Sequence, residues 1–489
     1  MSKIPALTKA GNILQRGIAL NSYLKTYYNP RVKSVETEEL RILLALEPVW
    51  TVSIGGREFM SLHASEIAVD DSVIRFGRYT RKILNVCWLR PNVVRISARG
   101  RFRTQTEVLT FYAGERLPSV LEIQRRRRSF QKQIAQALAE HFKTRSISRQ
   151  TLYSDKRHGI GGSYPRFLLG SPLERAVIAV DPDESSFVVN GIMRAAILWS
   201  KLLRRRTTVV APAHRRHTIV TRLKSMPALQ SGFDWLQWDG EKISRLQLDS
   251  VEPETRVHEY YEPNVRSAVD SIRGLAPDLL QAVPHIQGRA VSVRLRGLEV
   301  ARVAEGGVIY PLGEPLQPLI ESIARERRHG SRHPLARAQE ERWLESTLIA
   351  HIRQVLPVRP DAVYPQVPSF AGEERNIVDL LTMTETGRLV VIEIKATADP
   401  DLPFQAFDYW LAVERHRKAG DFERQGYFRG LTIQDQPALL VMLAPLLAFH
   451  RTLDDLTAVL PRNMPLVQIG INQTWKKEIK ILRRKGSVS

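Results

Sequence analysis

Two regions of this chain show the same order of patterns: helix, strand, strand, helix, strand, helix, strand. They lie within residues 125–250 and 336–489. Their strands are apolar runs such as "RAVIAVD" and "PALLVML" rather than alternating apolar and polar residues. Runs of this kind are typical of strands that are buried on both faces. We therefore predict an α/β protein whose sheets are flanked by helices.

A shorter, β-rich segment lies upstream of each of these regions, over residues 92–123 and 290–323. Both segments alternate apolar and basic residues and then reach a tyrosine, Tyr112 or Tyr310, followed by Gly-Glu-x-Leu. The shared order predicts a duplicated module. The predicted regions are a β-rich or mixed region of unassigned function (1–124), an α/β domain (125–250), a linker with a β-rich repeat (251–335), and an α/β domain with a basic C-terminal tail (336–489).

The charge balance indicates a polyanionic partner. The chain has 72 Lys and Arg against 51 Asp and Glu, a net charge of +21 and a pI near 10.2. Such an excess favours nucleic acid, and a membrane surface or simple solubility are the alternatives. We expect nucleic acid, with DNA the first candidate. Additional protein subunits are not specified by any pattern.

Cysteine and hydropathy patterns favour a cytoplasmic protein without a membrane segment. Cys87 is the only cysteine, which excludes intrachain disulfides and cysteine-based zinc sites. The longest apolar run, 438–449, is broken by Pro445 and too short to span a bilayer. The N-terminal residues have no continuous apolar segment of the kind that a signal peptide requires.

Charged residues interrupt two of the apolar strands in the C-terminal region. Glu393 and Lys395 stand two apart in "VVIEIKA", so they project from the same face of a strand. Asp379 interrupts "NIVDLL", and a short polar turn joins the two strands, which predicts an antiparallel hairpin. An internal Glu–Lys pair, or a strand end that reaches solvent, is the structural alternative.

A metal centre would explain this arrangement. Two adjacent carboxylates repel each other unless a divalent cation lies between them. Oxygen ligands without cysteine or clustered histidine favour Mg²⁺ or Mn²⁺ over Zn²⁺. Asp379, Glu393 and the carbonyl of Ile394 are the candidate ligands. Lys395 would stabilise negative charge on a phosphodiester or position the attacking water.

The pattern of Asp379 followed by Glu393-Ile394-Lys395 resembles the PD-(D/E)xK phosphodiesterase superfamily, which has the restriction-endonuclease-like fold. The resemblance covers about residues 338–475 and implies Mg²⁺-dependent cleavage of DNA or, less often, RNA. It also implies a mixed sheet flanked by helices. One departure is Val378, which stands where the strict motif has proline.

Three further positions extend the resemblance. Many branches have a glutamate on the helix before the aspartate strand, and Glu345 fits this position as a catalytic and metal-binding carboxylate. Glu341, one turn earlier, is its competitor. Exonuclease-like branches have Gln and Tyr on the helix after the lysine strand, which Gln405 and Tyr409 match. The resemblance implies that these two orient the lysine or contact the DNA backbone.

The upstream α/β region does not reproduce this pattern. Aligning "AVIAVDP" with "VVIEIKA" places Ala179 at the position of Glu393 and Asp181 at that of Lys395. Alanine binds no metal, and the aspartate adds negative charge where positive charge is needed. The region is therefore either a degenerate, non-cutting copy of the same fold or an unrelated α/β domain.

Several basic runs are candidate phosphate contacts, with solvated surface as the alternative. The residues are Arg125, Arg126, Arg127, Arg128, Lys476, Lys477, Arg483 and Arg484. Together the patterns predict a metal-dependent nuclease, with DNA favoured and RNA as a further substrate class. The alternative is a non-catalytic nucleic-acid-binding protein, or the DNA-binding subunit of a larger complex, that uses the same fold.

Overall fold

The structure is a computed structural model. It describes residues 37–54, 58–70, 72–77, 79–90, 93–100, 106–114, 120–143, 147–155, 158–170, 175–249, 256–312, 315–371 and 374–486. The two Gly-Glu-x-Leu strings that predict a duplicated module lie mostly outside the described residues, which do not include 115–117 and 313–314.

The first β module is a seven-stranded antiparallel sheet with one helix, α1 (Thr37–Ala45). Its spatial order is β2-β1-β7-β6-β5-β4-β3. The strands are β1 (Val49–Ile54), β2 (Glu58–His63), β3 (Ile67–Asp70), β4 (Val73–Phe76), β5 (Tyr79–Arg90), β6 (Val93–Gly100) and β7 (Thr106–Ala113). The alternation predicted for residues 92–123 appears in β6, where every second residue is buried.

The first α/β module is a six-stranded mixed sheet with helices packed against it. Its spatial order is β13-β12-β11-β10-β9-β8. The elements are α2 (Val120–His141), β8 (Ile147–Thr151), β9 (Arg166–Leu169), β10 (Arg175–Ala179), α3 (Ser186–Asn190), α4 (Ile192–Leu203), β11 (Thr207–Pro212), α5 (His217–Ser225), α6 (Pro227–Gly232), β12 (Asp234–Trp238) and β13 (Ile243–Arg245).

The second β module is a four-stranded antiparallel sheet, with one helix before it and one after it in the chain. It contains α7 (Arg266–Gly274), β14 (Leu280–His285), β15 (Ala290–Leu295), β16 (Leu298–Ala304), β17 (Gly307–Ile309) and α8 (Leu316–Glu326). The helices α7 and α8 pack their apolar faces on this sheet, because Val269, Ile272, Leu319 and Ile323 are buried with the sheet residues.

The second α/β module is again a six-stranded mixed sheet, in the order β23-β22-β21-β20-β19-β18. Its elements are α9 (Glu340–Ala350), α10 (Ile352–Val355), β18 (Tyr364–Ala371), β19 (Glu374–Met383), β20 (Leu389–Ile394), α11 (Leu402–Ala419), α12 (Asp421–Arg424), β21 (Leu439–Pro445), α13 (Leu453–Thr457), β22 (Leu466–Ile471) and β23 (Ile481–Lys485). β20 and β21 are buried along their whole length, as their apolar runs predict.

The two six-stranded sheets have the same strand directions and the same central register. Arg175 lies opposite Leu169 in the first sheet, and Leu389 lies opposite Met383 in the second. Adding 214 to a residue number in β9 or β10 therefore gives the residue at the same place in β19 or β20. The parallel pairs β11–β12 and β21–β22 also have the same register, because adding 232 to the residue numbers of the first pair gives those of the second. These strand pairings are consistent with the sequence alignment of "AVIAVDP" with "VVIEIKA".

The modules pack like against like. Buried residues of both α/β modules form one hydrophobic cluster, which includes Ile197 and Leu223 from the first and Phe404 and Phe407 from the second. Buried residues of both β modules form another. The chain is thus a mixed α/β protein, as predicted, with its two halves joined through two shared cores.

One helical stretch within the described residues, Ser186–Leu203, has the length and apolar composition of a membrane-spanning helix. Inside the protein, 61% of this stretch is buried. A helix in a protein core passes the same test of length and composition, so the observation is weak evidence about a membrane.

Candidate active site

The strands β19 and β20 stop pairing at the point where the two carboxylates stand. Leu380 opposite Ile392 is the last pair of this ladder, and Asp379 and Glu393 occupy the next positions. Opposed residues of an antiparallel pair project from the same face. Asp379 Oδ2 accepts a hydrogen bond from the backbone N–H of Ile394, at 2.9 Å. The opening between the strands therefore brings both carboxylates together.

Lys395 completes this group. It follows the last residue of β20, and its Nζ donates a hydrogen bond to Glu393 Oε1 at 2.8 Å. Both side chains are almost fully buried, with 10% of the Lys395 side chain and 1% of the Glu393 side chain exposed. The second carboxylate oxygen of Glu393 is buried and has no hydrogen-bond partner among the described residues.

Electrostatics at this site reflect burial first and neighbouring charge second. Burial raises the pKa of the Glu393 carboxyl well above its usual value, and the charge of Asp379 raises it further. Desolvation lowers the pKa of the Lys395 ammonium, but Glu393, Glu341 and Asp379 together raise it well above its usual value. The deprotonated Glu393 is thus costly to bury unless positive charge lies beside it.

Gln405 and Tyr409 lie on α11, and Tyr409 is near the charges of Glu393, Lys395 and Asp379. They stand one helical turn apart, and Gln405 Nε2 donates a hydrogen bond to Tyr409 Oη at 2.9 Å. Burial raises the pKa of the Tyr409 hydroxyl, and the charge of Glu393 raises it further. Tyr409 is therefore neutral at ordinary pH and close enough to Glu393 to sense its charge.

Glu345 is buried beside the site but is already bonded by several groups. Its Oε1 accepts from Arg294 at 2.7 Å, and its Oε2 lies 3.4 Å from Arg342 and also accepts from Gln366. The Gln366 amide also donates to Asp379 Oδ1 at 3.4 Å. The structure therefore connects Glu345 to Asp379 through Gln366, rather than placing it directly at Glu393.

The competing carboxylate, Glu341, lies on the same helix one turn earlier and is exposed. Its charge contributes to the raised pKa of both Glu393 and Lys395. The geometry thus leaves both glutamates of α9 as candidates for the third carboxylate.

Sequence reasoning missed Gln366 and Arg294. Gln366 lies in β18 between Pro365 and Val367 and has a φ of 54°, in the left-handed region that few non-glycine residues occupy. Arg294 belongs to the second β module, 51 positions before Glu345. The sequence does not reveal that a glutamine such as Gln366 has a positive φ. It also does not reveal the pair of Arg294 with Glu345, because no spacing rule relates residues of different modules.

The donor set fits a hard divalent cation. Asp379 and Glu393 carry carboxylate oxygens, and one oxygen of Glu393 is buried without a hydrogen-bond partner among the described residues. Among the described residues no group of three or more Asp, Glu, His or Cys side chains is arranged to hold a metal. The fit therefore depends on two carboxylates together with backbone oxygen and water.

The basic residues named from the sequence divide into two kinds. Arg126, Arg127 and Lys476 are held in internal ion pairs, the first two with Glu184 and the third with Glu340. The others are exposed in the structure, namely Arg125, Arg128, Lys477, Arg483 and Arg484. The exposed set remains the candidate for phosphate contacts.

The first α/β module has different residues at the three central positions. The constant step of 214 positions places Pro165, Ala179 and Asp181 where Asp379, Glu393 and Lys395 stand in the second. Asp181 lies 3.3 Å from the Arg126 guanidinium, which also bonds Glu184 at 2.9 Å. This module therefore holds its buried carboxylates with arginine and lacks the paired acidic ligands.

Comparisons with known proteins add little. No family model matches the chain, and no curated protein matches it. One solved structure, described as an EndoMS-dsDNA2 complex, is similar at 13% sequence identity and a TM-score of 0.17, and the match covers 44% of this chain and 100% of that one. A likeness of this size identifies neither a shared fold nor a shared function.

Proposed function

We propose that this chain is a divalent-metal-dependent nuclease that hydrolyses phosphodiester bonds, with DNA as the favoured substrate. The observation that carries the proposal is the group formed by Asp379, Glu393 and Lys395 where β19 and β20 separate. The resemblance to the PD-(D/E)xK superfamily rests on the same three positions. The net charge of +21 supports a polyanionic substrate.

The roles follow from the positions of these groups. Asp379, Glu393 and the Ile394 carbonyl would hold Mg²⁺ or Mn²⁺, and Glu345, linked to Asp379 through Gln366, would act from the adjoining position. When bound, such an ion supplies charge neutralisation at the phosphodiester and a more acidic water. Lys395, held by Glu393, would donate to a phosphate oxygen or orient the attacking water. Gln405 and Tyr409 would fix Lys395 or the nucleic-acid backbone.

The first α/β module supports a secondary inference. Its sheet repeats the strand order and central register of the second, but it has Pro165, Ala179 and Asp181 at the three decisive positions. We infer that it is a copy of the same fold that does not cut. Of the two α/β modules, only the second would then hold a nuclease centre.

A second candidate function is supported by the burial of the site. Glu393 and Lys395 neutralise each other and are hardly exposed, as in a purely structural ion pair. In that case the chain binds nucleic acid without cutting it. The two functions differ in one outcome, which is cleavage that depends on both Lys395 and a divalent ion.

The test is a plasmid-cleavage assay with Mg²⁺ or Mn²⁺. We expect Lys395→Ala to reduce cleavage by at least about 100-fold while DNA binding survives, because the substitution removes a charge that acts in the transition state. Lys242→Ala, the same change at an exposed lysine of the first α/β module, is the matched control and should cleave like wild type. Equal cleavage by wild type and Lys395→Ala would refute the assigned centre, and binding without cleavage by wild type would favour the second candidate.

A further inference from the structure

The helix that carries Gln405 and Tyr409 is held by the first α/β module. Arg222 of α5 binds Asp408 of α11 through two hydrogen bonds, of 2.9 Å and 2.7 Å. Its guanidinium also lies over the Phe404 ring, 5.0 Å from the ring centroid. Only 6% of the Arg222 side chain is exposed. The contact is therefore a two-point attachment that is largely removed from solvent.

A second buried ion pair lies at the start of the same helix. Arg194 of α4 donates to Asp401 Oδ1 at 2.7 Å, and both side chains are less than a tenth exposed. Asp401 occupies the N-cap position of α11, yet its side chain makes no capping hydrogen bond. A residue type that usually caps a helix is here used to bind the neighbouring module.

The two attached aspartates, Asp401 and Asp408, lie on the same face of α11 as the candidate site residue Gln405. Asp401, Gln405 and Asp408 stand at i, i+4 and i+7, so Gln405 lies between the two attached carboxylates. Tyr409 is next to Asp408. Fixing Asp401 and Asp408 therefore sets both the rotation of α11 about its axis and its position along that axis. The same two degrees of freedom decide where Gln405 and Tyr409 lie relative to Glu393.

Charge pairs are a costly means of joining two modules. When both partners of a buried ion pair are replaced by well-packed apolar residues, a protein is often as stable or more stable, because desolvation offsets much of the attraction within the pair. What a bidentate pair adds is a defined geometry. The surrounding cluster of buried apolar residues already supplies the adhesion between the modules.

We propose that Arg194 and Arg222 of the first α/β module are positioning residues for the reaction of the second, because they hold α11 in the register that the active site requires. This inference rests on the proposed nuclease function. It assigns the non-cutting module a task within catalysis, since it supplies two of the attachments that set Gln405 and Tyr409.

The test compares Arg222→Met with Arg222→Lys and wild type. We expect Arg222→Met to lower kcat on the order of 10- to 100-fold, because small displacements of aligned groups cost about that much. KM for the DNA substrate should change by less than about threefold, since the residue does not contact substrate. Arg222→Lys keeps the charge and one of the two bonds, so it should restore part of kcat.

Lys201→Met is the matched control. Lys201 pairs with Asp455 between the same two modules, but its side chain is 63% exposed, so its loss should leave kcat within about twofold of wild type. Hydrogen exchange of the α11 amides is the second readout, and we expect faster exchange in Arg222→Met only. If Arg222→Met does not fold, Asp408→Asn removes the same pair with little change in shape.

The outcomes separate this inference from the proposed function. Unchanged kcat and unchanged α11 exchange in a folded Arg222→Met or Asp408→Asn protein would overturn the positioning role. Equal losses in Lys201→Met would also overturn it, because any contact between the modules would then do. If wild type shows no cleavage, the proposed function fails, and the exchange data still decide whether the first module orders α11.

Discussion

Glu393 is the residue whose environment most needs a functional explanation. One of its oxygens is paired with Lys395, and the other is buried without a hydrogen-bond partner among the described residues. An unsatisfied, charged oxygen is destabilising in a protein interior. The arrangement is understandable if a cation or a substrate completes it.

The raised pKa of Glu393 predicts how the stability of the metal-free protein depends on pH. The unfolded chain releases this proton near the usual glutamate value, whereas the folded protein retains it to higher pH. The folded state therefore binds more protons in that interval, and the free energy of unfolding should fall as pH rises above about 4.5. Denaturant unfolding in EDTA between pH 5 and pH 8 measures this contribution.

Glu393→Gln is the control for this prediction, because it has no proton to lose and should lack that component of the slope. Added Mn²⁺ should offset the loss in wild type more strongly at higher pH, since an ion binds only the deprotonated carboxylate. Identical slopes for wild type and Glu393→Gln would show that the group does not titrate in this range.

At the scale of single elements, the segment that joins the second β module to α9 is fixed by one buried arginine. Arg327 is fully buried, and its guanidinium donates to the backbone carbonyls of Arg296, Leu335, Ala338 and Gln339. It also lies over the Trp343 ring, 4.7 Å from the ring centroid. Burial lowers the pKa of this guanidinium to about 9.

Replacing this arginine should destabilise the protein. Arg327→Met leaves several buried carbonyls without donors, so we expect the free energy of unfolding to fall by about 3 kcal/mol. Arg328→Met changes the same residue type at the adjacent, exposed position and should shift it by less than about 0.5 kcal/mol. Urea unfolding measures both, and equal effects of the two substitutions would contradict the assigned role of Arg327.

The elements that sequence predicts well are those whose signal is local. β20 and β21 correspond to the apolar runs "VVIEIKA" and "PALLVML", and the structure has each strand within two residues of its run. β18 was missed because Pro365 and Pro368 argue against a strand, and it is an edge strand, where proline is tolerated. β23 was missed because its basic residues were interpreted as a tail.

The candidate site also has a part that local sequence predicts and a part that depends on how the modules pack. The spacing of Glu393 and Lys395, with Asp379 on the preceding strand, was enough to predict that they meet. Nothing in the sequence predicts that Glu345 is bonded by Arg294 from another module, because such a pair depends on how the modules pack. The attachment of Asp408 to Arg222, which are 186 positions apart, is hidden for the same reason.

At the scale of the whole molecule, the chain resembles a dimer made from one polypeptide. Each half has a β module followed by an α/β module, and each kind packs against its counterpart in a shared core. A symmetric dimer has two equivalent sites, because the same surface meets itself. Here the sequence differs between the halves, since Pro165, Ala179 and Asp181 replace the three central residues of the site. The arrangement thus keeps the packing of a dimer with one candidate centre.

A single centre predicts the product of the first cleavage event. If one chain acts on supercoiled plasmid, one strand should be cut, so nicked circles should accumulate before linear DNA appears. A gel time course at limiting protein, with light scattering to confirm that the chain is monomeric, measures the order of products. Lys395→Ala should yield neither product. Linear DNA that forms as fast as nicked circles under single-hit conditions would require a second centre, either in the first α/β module or in a second chain. If the second centre lay in the first α/β module, Pro165, Ala179 and Asp181 would not prevent that module from cleaving DNA.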